Sequence, residues 1–138
     1  MREDITVEKL NEFCKNTLVS HLGIECTEFG KDYLCGKMPV DNRTKQPVGL
    51  LHGGASVVLA ESLGSLASAA FIDTTKQTCV GLEINANHVK SVREGYVYGK
   101  AQALHIGKRT HLWDIKIVNE KKELVCVCRL TIAVIDKQ

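Results

Sequence analysis

Between Ala55 and Ile72 the sequence carries one ionisable residue, Glu61, in a run that is otherwise apolar apart from Ser56, Ser62, Ser65 and Ser68. A carboxylate buried among apolar groups must find partners, take on a raised pKa, or cost several kcal/mol. Glu61 is therefore a candidate nucleophile or general base, its alternative being a structural carboxylate that pairs with an arginine or caps a loop. On a helix it shares a stripe with Ser65 and Ser68, which gathers the polar groups of the run onto one line.

Directly before this run stands Gln46-Pro47-Val48-Gly49-Leu50-Leu51-His52-Gly53-Gly54. Glycines at a helix N-terminus let a ligand approach the backbone, and the free N–H groups with the helix dipole favour a developing oxyanion. A His-Gly-Gly turn can also be no more than a tight connection with His52 as a satisfied polar residue. Gly53 and Glu61 are about two helical turns apart, roughly 12 Å along the axis. One subunit would then not close the site alone, and an antiparallel dimer would bring Glu61 of one helix to the His52-Gly53 turn of the other.

The elements that must position these groups follow from periodicity. Thr6 caps a helix with Leu10, Phe13, Cys14, Leu18 and Leu22 at helical spacing, ended by Gly23. Ile24 to Phe29 and Tyr33 to Val40 read as two strands joined around Gly30-Lys31-Asp32. The segment from Ala55 to Ile72 is apolar around nearly its whole circumference, which predicts a helix buried on most sides. Thr78 to Val89, Gly95 to Leu104, Thr110 to Val118 and Leu124 to Val134 are rich in β-branched residues and predict four strands, with links short enough for antiparallel neighbours. The pattern has no βαβ alternation and no internal repeat, so the fold class is α+β: one antiparallel sheet wrapped around one long buried helix. The apolar faces of that helix exceed what one sheet can cover, which predicts a homodimer or a homotetramer built as a dimer of dimers.

With 138 residues, 44% of them apolar and 25% charged, the chain is expected to form a single domain over 1–138 with its own core. A net charge of +2 with scattered Lys and Arg argues against nucleic acid as a partner. The acidic N-terminus lacks the pattern of an export signal, and the serines and Glu61 make the longest apolar run a poor membrane span, so a cytoplasmic protein is expected. Cys14, Cys26, Cys35, Cys79, Cys126 and Cys128 contain no CxxC pair and read as small core hydrophobes. Cys126 and Cys128 lack the further ligands of a zinc site, and no metal or cofactor is expected.

The runs Met38-Pro39-Val40-Asp41, Thr44-Lys45-Gln46-Pro47, Leu51-His52-Gly53-Gly54-Ala55-Ser56-Val57-Val58-Leu59-Ala60-Glu61-Ser62 and Gly81-Leu82-Glu83-Ile84-Asn85-Ala86-Asn87-His88 closely resemble the hotdog-fold thioesterases. The branch most similar to them acts on aromatic acyl-CoA, including 1,4-dihydroxy-2-naphthoyl-CoA in menaquinone biosynthesis. That resemblance implies an acyl-CoA thioesterase with Glu61 as nucleophile or base and the Gly53 N–H on the thioester oxygen. It further implies that His52 and Gln46 hold the thioester, that Ser65 orients water or the leaving group, and that His88 lines the pocket. Lys90, Arg93, Lys108 and Arg109 flank the strands after the motif and are candidates to grip CoA phosphates, or are ordinary solvated strand ends. The loop around Leu104-His105-Ile106-Gly107 resembles the family's nucleotide-side loop and favours Lys108 and Arg109. Two other functions fit this fold: a dehydratase or hydratase of acyl thioesters, and a non-catalytic acyl-CoA sensor whose binding would survive loss of Glu61.

Overall fold

Thr6 caps helix α1 (Val7–Phe13) as its spacing predicts, its hydroxyl accepting from the Lys9 N–H at 3.1 Å. The structure, a computed structural model, describes residues 2–138. The single N-terminal helix expected to continue to Leu22 is broken in two. Asn16 adopts the left-handed region at φ 61°, which asparagine tolerates better than most residues, and a short helix α2 (Leu18–His21) follows. The cause is local competition: the Thr17 hydroxyl donates to the Cys14 carbonyl, and the Thr17 N–H donates to Ser20 Oγ at 3.4 Å.

Strands β1 (Glu25–Phe29) and β2 (Tyr33–Pro39) form the expected hairpin, and the long helix α3 (Gly53–Ala69) follows the loop. Then come β3 (Gln77–His88), β4 (Tyr96–Ile106), β5 (Thr110–Val118) and β6 (Leu124–Asp136), all paired antiparallel in one six-stranded sheet of order β1-β2-β4-β5-β6-β3. The sheet wraps α3, which packs against β2 through β6. One expectation fails: β3 does not lie beside β4 but pairs with β6 at the far edge. Residues 89–95 link the two strands and can stretch to roughly 23 Å, while three strand spacings amount to about 14 Å. A link that serves as a hairpin loop therefore serves equally well as a crossover.

Helix and sheet meet at unusually small residues. A Cβ on Gly36 would lie 2.7 Å from Leu63 Cδ2, and one on Gly99 would lie 2.9 Å from Leu63 Cδ1. Gly36 and Gly99 are direct cross-strand partners, so together they form the seat of Leu63. Around it Trp113, Leu34, Met38, Leu59, Ile115, Ile117 and Leu130 are shut off from solvent. Of the six cysteines, Cys14, Cys26, Cys126 and Cys128 are buried as expected, but Cys35 and Cys79 are only half-buried. Burial, with the neighbouring Cys14, pushes the Cys26 thiol up to about 12, which makes it a packing group rather than a reactive one. Among the described residues no helix is long and apolar enough to cross a membrane.

Ser68 is the polar anchor at the far end of α3. Its hydroxyl sits 2.7 Å from Trp113 Nε1, which donates to it, and 3.0 Å from His111 Nδ1, with all three side chains buried. Ser68→Ala strips both ring nitrogens of this partner and is expected to cost about 2–4 kcal/mol in urea unfolding. A loss below half a kcal/mol would mean that water replaces the hydroxyl.

Burial also holds the His111 imidazole below its ordinary value, so the folded protein takes up this proton less readily than the unfolded chain. The stability that follows is complete above the unfolded imidazole value of about 6.5 and declines as pH falls through it toward the lower folded value. Urea midpoints between pH 7 and pH 5 should therefore drop less steeply for His111→Gln than for the native chain.

Candidate active site

The loop before α3 is folded by Gln46. Its backbone N–H donates to the Leu50 carbonyl at 2.8 Å, and its side-chain Oε1 accepts from the Val48 N–H at 2.6 Å and the Leu50 N–H at 3.4 Å. The carbonyl end of the side chain thus serves the loop itself. The Nε2 end makes no hydrogen bond among the described residues, and only that end can donate to a ligand.

His52 is the N-cap of α3, its Nδ1 accepting from the Gly54 N–H at 2.8 Å. Because a backbone donor occupies Nδ1, the ring proton resides on Nε2, and the exposed side of the imidazole is a hydrogen-bond donor. At the adjoining first position of the helix, no acceptor meets the Gly53 N–H among the described residues. The face of Gly53 is occupied by His88 from the end of β3: a Cβ there would lie 2.8 Å from His88 Nε2. The crossover supplies Arg93 to the same end of the molecule, since the neighbouring Val92 carbonyl accepts from the Leu51 N–H at 2.8 Å. His52, Gly53 and His88 are thus brought together, the backbone leading into Arg93 passes the same end, and Gln46 stands on the adjoining loop.

Glu61 lies about 12 Å further along the axis. It was expected to be buried, but it is only half-buried, with its carboxylate against β3 at the edge of the sheet. With Ser65 one turn on, it lines an apolar cleft of about 490 Å³ between α3 and the break after α1. Ser68, expected on the same line, instead turns into the core to hold His111 and Trp113.

Gly81 opens the run Gly81 to His88, and its contribution beside Glu61 is visible only in the fold. A Cβ there would lie 2.7 Å from Glu61 Oε2, so the carboxylate rests on bare β3 backbone. The ladder to β6 slips by one residue between Gly81 and Glu83, a bulge beside the carboxylate. A glycine inside a strand is the sequence signal for such a feature.

Lys108 and Arg109 are not brought to this end. They sit on the turn between β4 and β5 beside Phe71, Ile72 and Gln77, past the C-terminal end of α3 and about 25 Å along the helix from Gly53. Arg109 Nη1 contacts Asp136 Oδ2 at 3.0 Å; the hydrogen bond from Gln77, and then Arg109, hold the Asp136 carboxyl below its ordinary range.

An unpaired helix-start N–H, a histidine that caps the same helix and a half-open carboxylate beside an apolar cleft are the parts of an acyl-transfer site. The sequence profile of the thioesterase superfamily matches residues 48–126. A 1,4-dihydroxy-2-naphthoyl-CoA hydrolase of Escherichia coli (strain K12) is 52% identical over 134 residues, covering 97% of this chain and 98% of that one.

The chain belongs to the thioesterase superfamily. A crystal structure of a mutant thioesterase from Pseudomonas aeruginosa superposes with a TM-score of 0.96 at 48% identity, covering 99% of this chain and 98% of that chain. A thioesterase of Haemophilus influenzae gives a TM-score of 0.93, also at 48% identity, over 97% of this chain and 93% of that chain. The fold is the hotdog fold, and the protein is a thioesterase.

Gly81→Ala places a methyl group 2.7 Å from Glu61 Oε2 and is expected to turn the carboxylate to another rotamer. Thioesterase kcat should fall about tenfold to a hundredfold, with KM changed much less. The check is steady-state kinetics alongside a melting curve; native-like turnover in a folded variant would show that the seat on β3 is irrelevant.

Proposed function

We propose that this thioesterase hydrolyses aromatic acyl-CoA, such as 1,4-dihydroxy-2-naphthoyl-CoA, to the free acid and CoA, as an oligomer whose site is shared between two copies. The observation that carries the shared site is the spacing on α3. Hydrolysis needs the carboxylate and the oxyanion donor within about 3 Å of one carbonyl group, and the same helix holds them about 12 Å apart. A second α3 running antiparallel supplies the missing half to each site. The naphthoyl substrate class is supported by the identity with the E. coli hydrolase.

In this reading the thioester oxygen accepts from the Gly53 N–H and from His52 Nε2–H, at the positive end of the α3 dipole. The charge that builds on the oxygen in the tetrahedral state is met by donors that are already oriented. Gln46 Nε2 donates nearby, and His88 fixes the face of Gly53. Glu61 either attacks the carbonyl carbon, giving a glutamyl anhydride that water opens, or takes a proton from a water that attacks directly; Ser65 orients that water. In both routes the C–S bond breaks and CoA leaves as a thiolate, a leaving group good enough to need no strong acid. In the same reading Arg93, and from the far end of the helix Lys108 and Arg109, would meet the phosphates of the nucleotide rather than the carbonyl.

Glu61→Gln keeps the shape but cannot attack or accept a proton, and kcat should drop about a thousandfold or more with KM largely kept. Near-native turnover would return Glu61 to a structural role.

The shared site has its own test. His52→Ala and Glu61→Gln proteins, each nearly inactive, should on mixing and subunit exchange recover about a quarter of native activity, since half the dimers are mixed and one of their two sites is intact. No recovery, with exchange confirmed by mass, would place both groups in one chain.

A further inference from the structure

Phe13 and Leu18 are large apolar side chains left in the open, 77% and 57% exposed. Both line the cleft of about 490 Å³ that Glu61 and Ser65 also line. Their convergence depends on the break at Asn16. In one continuous helix, residues five apart point roughly 140° away from each other. The left-handed turn instead ends α1 at Phe13 and begins α2 at Leu18, so the two residues face one cleft across the corner. Val57, Val58 and Leu66 of α3 supply the opposite wall, and the lining spans about 14 Å of helix axis.

We propose that Phe13 and Leu18 determine substrate specificity by closing over the acyl group, selecting a flat ring-bearing acyl thioester over a short aliphatic one. This rests on the reading that Glu61 meets the thioester carbonyl. The acyl group is bonded to that carbonyl, so it must occupy space adjoining the carboxylate, and this cleft adjoins it. A second copy of the chain is the other occupant an apolar cleft could take. The carboxylate favours substrate, because a protein surface sealing the cleft would leave Glu61 desolvated behind an apolar lid.

The test compares kcat/KM for benzoyl-CoA and acetyl-CoA in the native enzyme, Phe13→Ala, Leu18→Ala and Phe13→Leu, with sedimentation of each. The native enzyme should favour benzoyl-CoA. Each alanine variant should lose about tenfold to a hundredfold more on benzoyl-CoA than on acetyl-CoA, mainly through KM, and Phe13→Leu should recover part of it. Equal losses on both substrates, an unchanged ratio, or a native preference for acetyl-CoA overturns the proposal. So does a shift to smaller species, which would make the corner an interface. Glu61→Gln separates the two failures: native turnover in that variant removes the underlying reading, whereas an inactive Glu61→Gln with an unchanged ratio in the Phe13 variants removes this inference alone.

Discussion

The seating of Leu63 on the paired glycines Gly36 and Gly99 sets everything else in the molecule. A helix lying on a sheet is free to roll and slide until side chains interlock, and here one leucine fills a hollow that only two missing Cβ atoms create. With Leu63 seated on β2 and β4, Glu61 points about 200° around the helix from it, and its carboxylate meets β3 at the edge of the sheet. The carboxylate is therefore delivered to that edge by packing elsewhere on the helix. A larger residue at either glycine would lift or roll α3 and move Glu61 without touching it.

The helix divides its polar groups between two environments. Ser68 goes into the dry core because Trp113 and His111 wait there with a donor and a ring nitrogen. Glu61 has no such partners among the described residues, and full burial of an unpaired carboxylate costs several kcal/mol. The fold avoids that cost by leaving Glu61 half-open on the bulged strand, where the missing side chain of Gly81 makes room for it. An apolar cleft and a half-open carboxylate then stand side by side, and in the proposed reading an arriving acyl group would dry the carboxylate.

Much of this was legible in the sequence for a physical reason. Strand alternation, the all-apolar helix and the Thr6 cap are local features, and all of them form where periodicity places them. The order of the strands is not local: residues 89–95 suit a hairpin or a crossover equally well, and the choice is made by which edge of the sheet β3 can reach once α3 occupies the concave face. The break at Asn16 was hidden for a different reason. Leu10, Phe13, Cys14, Leu18 and Leu22 fit a helical spacing whether or not the helix is continuous, so apolar periodicity conceals a single left-handed residue. At the site, the motif placed His52, Gly53 and Glu61 on one helix and implied His88 near them. The duty of Gly81 could not be seen, because it lies in a side chain the residue does not have.

The helix that carries the site also acts as its ruler. Eight residues separate Gly53 from Glu61, and an α-helix cannot shorten that distance without losing its own hydrogen bonds. A flexible loop could have folded the carboxylate back onto the glycine, but it would have to be ordered anew in each turnover. Holding both groups on one rigid rod gives up closure within a single chain and gains two donors and a carboxylate whose positions are already fixed. In the proposed dimer two antiparallel rods would close two equivalent sites at once. The spacing along α3, set by backbone geometry and held by Leu63, is in this way the link between the packing of one chain and the shared-site assembly proposed for it.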